Sequence, residues 1–161
     1  MKRFNNRTVI VTGSARGMGA SHARGFVAEG GKVVIADVLE QEGRALADEL
    51  GDHAIFSRLD VTSDRDWAAT VAAAEDAFGT ISVLINNAGI VRFGQIEDSE
   101  PNVWRQVIEV NLTGAYLGYA PWCPRCAKRA AARSSISRRA PGLPLRSGSP
   151  RTWPASGEFG D

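Results

Sequence analysis

The feature that most constrains this chain is a β-branched run that opens directly into a glycine-rich turn. Thr8-Val9-Ile10-Val11-Thr12 reads as a buried strand, and Gly13-Ser14-Ala15-Arg16-Gly17-Met18-Gly19 follows without a spacer. Beyond the turn comes a helical stretch with Met18, Phe26 and Val27 as apolar anchors and Gly30-Gly31 as its stop. A strand that passes into a helix through glycines aims free N–H groups and the positive end of a helix dipole at one point, an arrangement suited to a phosphate. Glycine also lets a pyrophosphate approach the backbone closely.

The alternation continues down the chain. Lys32–Asp37 is a second buried strand, and residues 39–50 read as a helix ended by Gly51. Ala54–Leu59 is a third strand. Ser63 with Asp66 three residues on resembles a capping box, after which Trp67, Val71, Ala74 and Phe78 share one helix face and Gly79 stops it. Ile81–Asn86 is a fourth strand, and Val103, Val107, Val110 and Leu117 align on a last helix. Trp67 and Trp104 are expected to be packing residues. His22 and His53 are expected on a helix surface and in a loop. Strands alternating with helices imply βαβ units, right-handed crossovers and a parallel sheet covered on both faces. The expected fold class is α/β: the N-terminal half of a Rossmann doubly wound parallel sheet, about four strands in the order 3-2-1-4, with ligand at the strands' carboxyl ends.

Composition divides the chain near Tyr119. Residues 1–119 carry 11 Lys and Arg against 16 Asp and Glu, whereas residues 120–161 carry 8 against 2 and hold six of the seven prolines. The whole chain is 43% hydrophobic and 23% charged, enough apolar matter for a core. The expected division is therefore a partial dinucleotide-binding domain over 1–119 and a basic Pro/Arg-rich tail over 120–161. The tail is expected to be disordered, with a helical start near Cys126 to Arg133. No apolar run is long enough to span a membrane, and no leader-like segment opens the chain, so a cytoplasmic location is expected. Cys123 and Cys126 have CxxC spacing but no further ligands nearby, so no metal site is expected. The tail's arginines carry no nucleic-acid motif, and neither nucleic acid nor membrane is an expected partner.

Four places carry the candidate chemistry. The glycine turn (Gly13, Ser14, Arg16, Gly17, Met18, Gly19) is a pyrophosphate cradle. Asp37 closes the second strand about 20 residues further on, where an acid meets adenosine ribose hydroxyls and repels a 2′-phosphate. That favours NAD over NADP, although Arg16 in the turn could pair with such a phosphate. Asp60 and Val61 close the third strand, where a carboxylate and the next N–H can read the edge of an adenine. Asn86, Asn87, Ala88 and Gly89 close the fourth. Adjacent amides there can tie strand ends together, and the small residues leave room for a flat ligand.

Together these residues resemble the short-chain dehydrogenase/reductase family. Its T-G-x-x-x-G-x-G pattern is Thr12 to Gly19, its D-V dipeptide Asp60-Val61 and its N-N-A-G Asn86 to Gly89. Asn111 in Val110-Asn111-Leu112-Thr113-Gly114 matches the family's catalytic asparagine, which organises a proton-relay water. Gly17 to His22 and the Ile96-Glu97-Asp98 region look most like bacterial 3α/20β-hydroxysteroid dehydrogenases. The resemblance covers roughly residues 5–118. It implies hydride transfer between a nicotinamide and a secondary alcohol or ketone, and assembly as a homo-oligomer. It also implies a serine, a tyrosine and a lysine four residues beyond the tyrosine. This sequence lacks that pair: Tyr116 and Tyr119 are followed at that spacing by Ala120 and Cys123. The small-molecule alcohol or ketone is thus expected only of a full-length relative.

The tail reads as out of frame. Codons for residues 120–139 can be chosen so that the frame starting at each third base encodes AVVPAMREAGGGSIINISS. Codons for residues 150–161 can be chosen so that it encodes AYMASKWGVRG. That frame restores a serine region and a Tyr-x-x-x-Lys in the family's order. The expected consequences are a chain without turnover, an exposed apolar edge at the fourth strand, and a marginal or insoluble product.

Overall fold

Neighbouring residues on a strand face opposite sides of a sheet, and here both sides are covered. The computed structural model describes residues 2–95, 97 and 100–119. Strands β1 (Thr8–Thr12), β2 (Lys32–Asp37), β3 (Ala54–Arg58) and β4 (Ile81–Ile85) form one parallel sheet in the order β3-β2-β1-β4. The sequence-based order is therefore the observed one. Helices α1 (Gly17–Ala28) and α2 (Glu40–Leu50) connect the first three strands, and α3 (Asp64–Phe78) leads to β4.

Val9 and Val11 of β1, with Val33 and Ile35 of β2, pack against Ala20 and Ala23 of α1 and Leu46 of α2. Ile10, Val34 and Ala36 project to the other side and meet Trp67, Val71 and Ala74 of α3. Each buried aliphatic side chain contributes about 2 kcal/mol relative to exposure, so the fully buried β1–β2 seam is the centre of the core. Trp67 is 1% exposed, and its indole N–H donates to the Val61 carbonyl at 2.9 Å. The polar end of the ring is thus satisfied inside the core. At the other end of the sheet, Phe4 packs edge-on against Phe26, with ring centroids 4.7 Å apart.

The last helix differs from its expected form. It runs as α4 (Pro101–Ile108), a π-helical stretch Glu109–Thr113 and α5 (Gly114–Tyr119). Val110 and Leu117 pack against the α3 side of the core as expected. Trp104 does not: it is 60% exposed, because α4 buries none of its residues fully. Met18 is not an anchor of α1 either. It is 74% exposed, since it lies in the first turn of the helix, above the sheet, and small alanines make the close contact below.

Among the described residues β4 is an edge strand, with Val83, Leu84 and Ile85 half-buried. None of the described helices is long and apolar enough to cross a membrane. The expected tail disorder, the helical start at 126–133, the Cys123/Cys126 pair, and Ile96 and Asp98 lie outside the described residues.

Candidate functional site

The carboxyl ends of all four strands open into one cleft of about 460 Å³. Gly13, Arg16, Met18 and Gly19 form the wall after β1, and Asp37, Val38 and Leu39 the wall after β2. Leu59, Asp60 and Val61 follow β3, while Asn87, Ala88, Gly89 and Ile90 follow β4. Val110 closes the cleft from the π-helical stretch.

The glycine turn is held in place by its own backbone and by one buried hydroxyl. Gly13 has φ +62°, and a Cβ there would stand 2.8 Å from the Ala88 Cα, so both the turn and the contact require glycine. The Ser14 hydroxyl donates to the Val11 carbonyl at 2.7 Å and accepts from the Ala36 N–H at 3.0 Å. It is 0% exposed and is not part of the cleft wall; its side chain ties the turn to β2. Gly17, also outside the wall, has φ +60° and open space where a Cβ would stand.

Thr12 and Asn87 join the ends of β1 and β4. The Asn87 side-chain amide donates to the carbonyls of Thr12 and Gly13 at 2.9 and 3.0 Å. The Thr12 hydroxyl accepts from the N–H groups of Asn87 and Ala88, both at 3.0 Å, and donates to the Ile85 carbonyl at 3.3 Å. Asn86 bonds the Ala115 carbonyl of α5 at 3.3 Å. Asn87 thus joins the ends of two strands, whereas Asn86 reaches a helix. Thr12 opens the T-G-x-x-x-G-x-G pattern but was not named among the expected site residues; the motif gives no sign that its hydroxyl joins β1 to β4. Val38, Leu39, Leu59, Ile90 and Val110 were also missed, being ordinary apolar residues that adjoin strand ends or the π-helical stretch.

Asp37 is buried, and both its oxygens are engaged. One accepts from the Ala15 N–H at 2.8 Å and the other from the Leu39 N–H at 3.0 Å. Each oxygen keeps further acceptor capacity toward the cleft. Arg16 is exposed; its carbonyl accepts the Ala20 N–H at 3.3 Å, and its side chain makes no hydrogen bond or ion pair among the described residues.

Asp60 is organised by its neighbours. One of its oxygens accepts from the Thr62 N–H at 3.0 Å and hydroxyl at 2.7 Å. Its own N–H donates to Asp66 at 3.0 Å, and Arg58 reaches the same Asp66 oxygen at 3.0 Å. The capping box is therefore half formed. Ser63 accepts from the Asp66 N–H at 3.2 Å, but the Asp66 carboxylate turns to Asp60, and the Ser63 N–H goes to the Asp60 carbonyl at 3.0 Å. The Asp60 N–H, with help from Ser63, Arg58 and Arg65, holds the Asp66 carboxyl below its ordinary range despite partial desolvation. Asn111 lies in the π-helical stretch, beside the cleft but outside its wall, and bonds the backbone of Ile90.

The family profile for short chain dehydrogenases matches residues 7–133. The chain belongs to the short-chain dehydrogenase family. It is 51% identical over 116 residues to a 3-alpha-(or 20-beta)-hydroxysteroid dehydrogenase of Mycobacterium tuberculosis, an overlap of 72% of this chain and 45% of the relative. It is 46% identical over 144 residues to the trans-4-hydroxycyclohexanecarboxylate dehydrogenase of Sinomonas cyclohexanicum, covering 84% of this chain and 55% of that one. The chain thus spans about half the length of these curated relatives. Among solved structures, a 3-ketoacyl-(acyl-carrier-protein) reductase from Brucella melitensis complexed with NADH superposes with a TM-score of 0.77 at 32% identity, over 80% of this chain and 53% of the other. Short-chain dehydrogenases bind nicotinamide dinucleotides, and the cleft lies where strand ends and glycine turn meet in this chain.

Proposed function

We propose that residues 1–119 are the dinucleotide-binding part of a short-chain oxidoreductase and that they take NAD in preference to NADP. The observation that carries the preference is the Asp37 carboxylate on the cleft wall, fixed by the N–H groups of Ala15 and Leu39. A carboxylate so held accepts from two ribose hydroxyls and repels a 2′-phosphate. The residues fit the rest of such a ligand. The turn leaves space at Gly17 and the N-terminus of α1 for a pyrophosphate. Asp60 and the N–H of Val61 suit the 6-amino and N1 edge of adenine, and Ala88 and Gly89 leave a flat wall. When bound, the nicotinamide supplies the carbon that exchanges hydride with a secondary alcohol or ketone. The shared chemistry in the names of the two relatives, a secondary alcohol on an alicyclic compound, makes that substrate class the choice for the complete enzyme.

The 161-residue chain alone is proposed to bind without turnover. Hydride transfer from an alcohol, or to a ketone, needs a group that moves the hydroxyl proton. Asn111 bonds Ile90 through both ends of its amide and is not an acid or base. No Tyr-x-x-x-Lys occurs in the sequence. Residues 120–161 are proposed to be the out-of-frame remainder, which nucleotide sequencing across codons 117–121 would decide. That leaves a second reading for residues 1–119, a nucleotide-binding unit without catalysis. Titration with NADH and NADPH, followed by nucleotide fluorescence, tests the first reading. Tighter NADH binding supports it, and equal or reversed affinities remove the NAD preference. Incubation with NAD and a hydroxysteroid tests the second: sustained formation of NADH would refute the lack of turnover.

A further inference from the structure

The turn between β3 and α3 is built around one carboxylate that does not line the cleft. Asp66 accepts the Asp60 N–H and one Arg58 N–H on the same oxygen, each at 3.0 Å. Its own N–H is fixed by the Ser63 hydroxyl at 3.2 Å. The Asp60 side chain is folded over Thr62 through two bonds to one oxygen, which orients the whole carboxylate. Immediately after Asp60, the Val61 carbonyl is pinned by the indole of Trp67, the residue that follows Asp66. The backbone of Asp60-Val61 is thus held on two sides by consecutive residues of α3. Meanwhile the Val61 N–H makes no hydrogen bond among the described residues.

We propose that Asp66 is a positioning residue that sets the adenine selectivity of the cleft, by fixing the Asp60 carboxylate and the Val61 N–H at the spacing of the 6-amino and N1 positions. The assignment rests on the dinucleotide reading above and adds to it a residue outside the cleft wall. Hypoxanthine reverses both features of that edge, with a 6-oxo acceptor in place of the amino donor and an N1–H in place of the bare nitrogen. A correctly held Asp60-Val61 pair therefore prefers adenine, and a loosened pair loses the preference. Helix stability alone has no such signature, because a less stable fold weakens both ligands equally.

The test uses the 161-residue chain, NADH and reduced nicotinamide hypoxanthine dinucleotide. The wild type is expected to bind NADH more tightly than the analogue. Asp66→Ala is expected to lower the NADH-to-analogue affinity ratio by about tenfold. Asp66→Asn has the same shape and keeps a weaker oxygen acceptor, so its ratio falls by about threefold; it decides the matter if the alanine variant does not fold. Glu49→Ala breaks the exposed pair with Arg24 and touches neither Asp60 nor Asp66, and its ratio is expected to stay at the wild-type value. Binding by the wild type with an unchanged ratio in the folded Asp66 variants overturns the role of Asp66 and leaves the dinucleotide reading standing. Wild-type chain that is folded and binds neither nucleotide overturns both.

Discussion

Asn111 clasps the backbone of Ile90 on both sides of its Cα: its amide nitrogen donates to the Ile90 carbonyl and its oxygen accepts the Ile90 N–H, each at 2.8 Å. The two residues are 21 positions apart, and the π-helical turn at Glu109–Thr113 brings them together. A wider turn of this kind re-aims the residues it carries and recurs at functional sites. The clasp fixes the stretch after β4 that forms one wall of the cleft. Asn111→Leu removes both bonds and is expected to cost about 2 kcal/mol of stability. It should also weaken NADH binding. Thermal unfolding and nucleotide titration check this, and an unaltered affinity would detach the clasp from the site.

Thr12 carries the junction between β1 and β4. It is fully buried, and its hydroxyl oxygen is the acceptor for the N–H groups of both Asn87 and Ala88. Thr12→Val keeps the shape and leaves the Ala88 N–H without its acceptor, while the Asn87 N–H keeps the Ile85 carbonyl at 3.1 Å and the Ile85 carbonyl loses the Thr12 hydroxyl. The expected loss is about 2–3 kcal/mol, read by chemical denaturation. A loss below the range of a surface substitution would show that the junction relaxes freely.

Asp37 governs cofactor choice in the proposed reading. Asp37→Asn keeps one oxygen as an acceptor and removes the charge. NADH affinity is expected to fall by about tenfold, with NADPH affinity rising because Arg16 stands unpaired on the same cleft. Parallel titrations measure both. If both nucleotides weaken together, Asp37 serves the turn through Ala15 and does not select between them.

Asp66 gives a pH dependence with a definite sign. Its folded-state pKa is lowered, first by the Asp60 N–H and also by Ser63 and the nearby Arg58 and Arg65. A lowered folded pKa means that the ionised carboxylate stabilises the fold above the ordinary carboxylate pKa of about 4. That stabilisation is lost as pH falls through the lower folded value. Charged groups around it are Arg58 from β3, Asp60 from the turn and Arg65 on α3 itself. Melting curves of the wild type and Asp66→Asn should separate near neutrality and converge in acid. A constant separation would contradict the shift. The exposed pairs Arg3–Glu29 and Arg24–Glu49 also lower their carboxylates, but salt screens them, so added salt should blunt their contribution and spare that of Asp66.

The sheet was legible in the sequence because its signals are local. Continuous β-branched runs at Thr8–Thr12 and Lys32–Asp37, each followed by a helical stretch, specify parallel strands, and the motif spacing supplies their order. Asp37 and Asn87 were legible as strand-end residues at fixed distances from the glycine turn. Hydrogen bonds between distant positions leave no such mark. Thr12 and Asn87 are 75 residues apart, and nothing beside either one announces the other. Met18 and Trp104 misled because apolar character alone does not tell a core face from a cleft or an outer face. Asp66 fits a capping box by spacing, yet the Asp60 N–H competes for its carboxylate and wins.

The central proposal is that this chain builds the adenosine half of a dinucleotide site and binds the nucleotide chiefly through that half. Calorimetric titration with ADP-ribose, which carries the adenine, ribose and pyrophosphate without nicotinamide, measures that half directly. ADP-ribose is expected to bind within about threefold of NADH, since most of the encoded contacts lie on the shared part. No detectable binding of ADP-ribose by folded protein, or NADH binding that depends chiefly on the nicotinamide end, would contradict the claim.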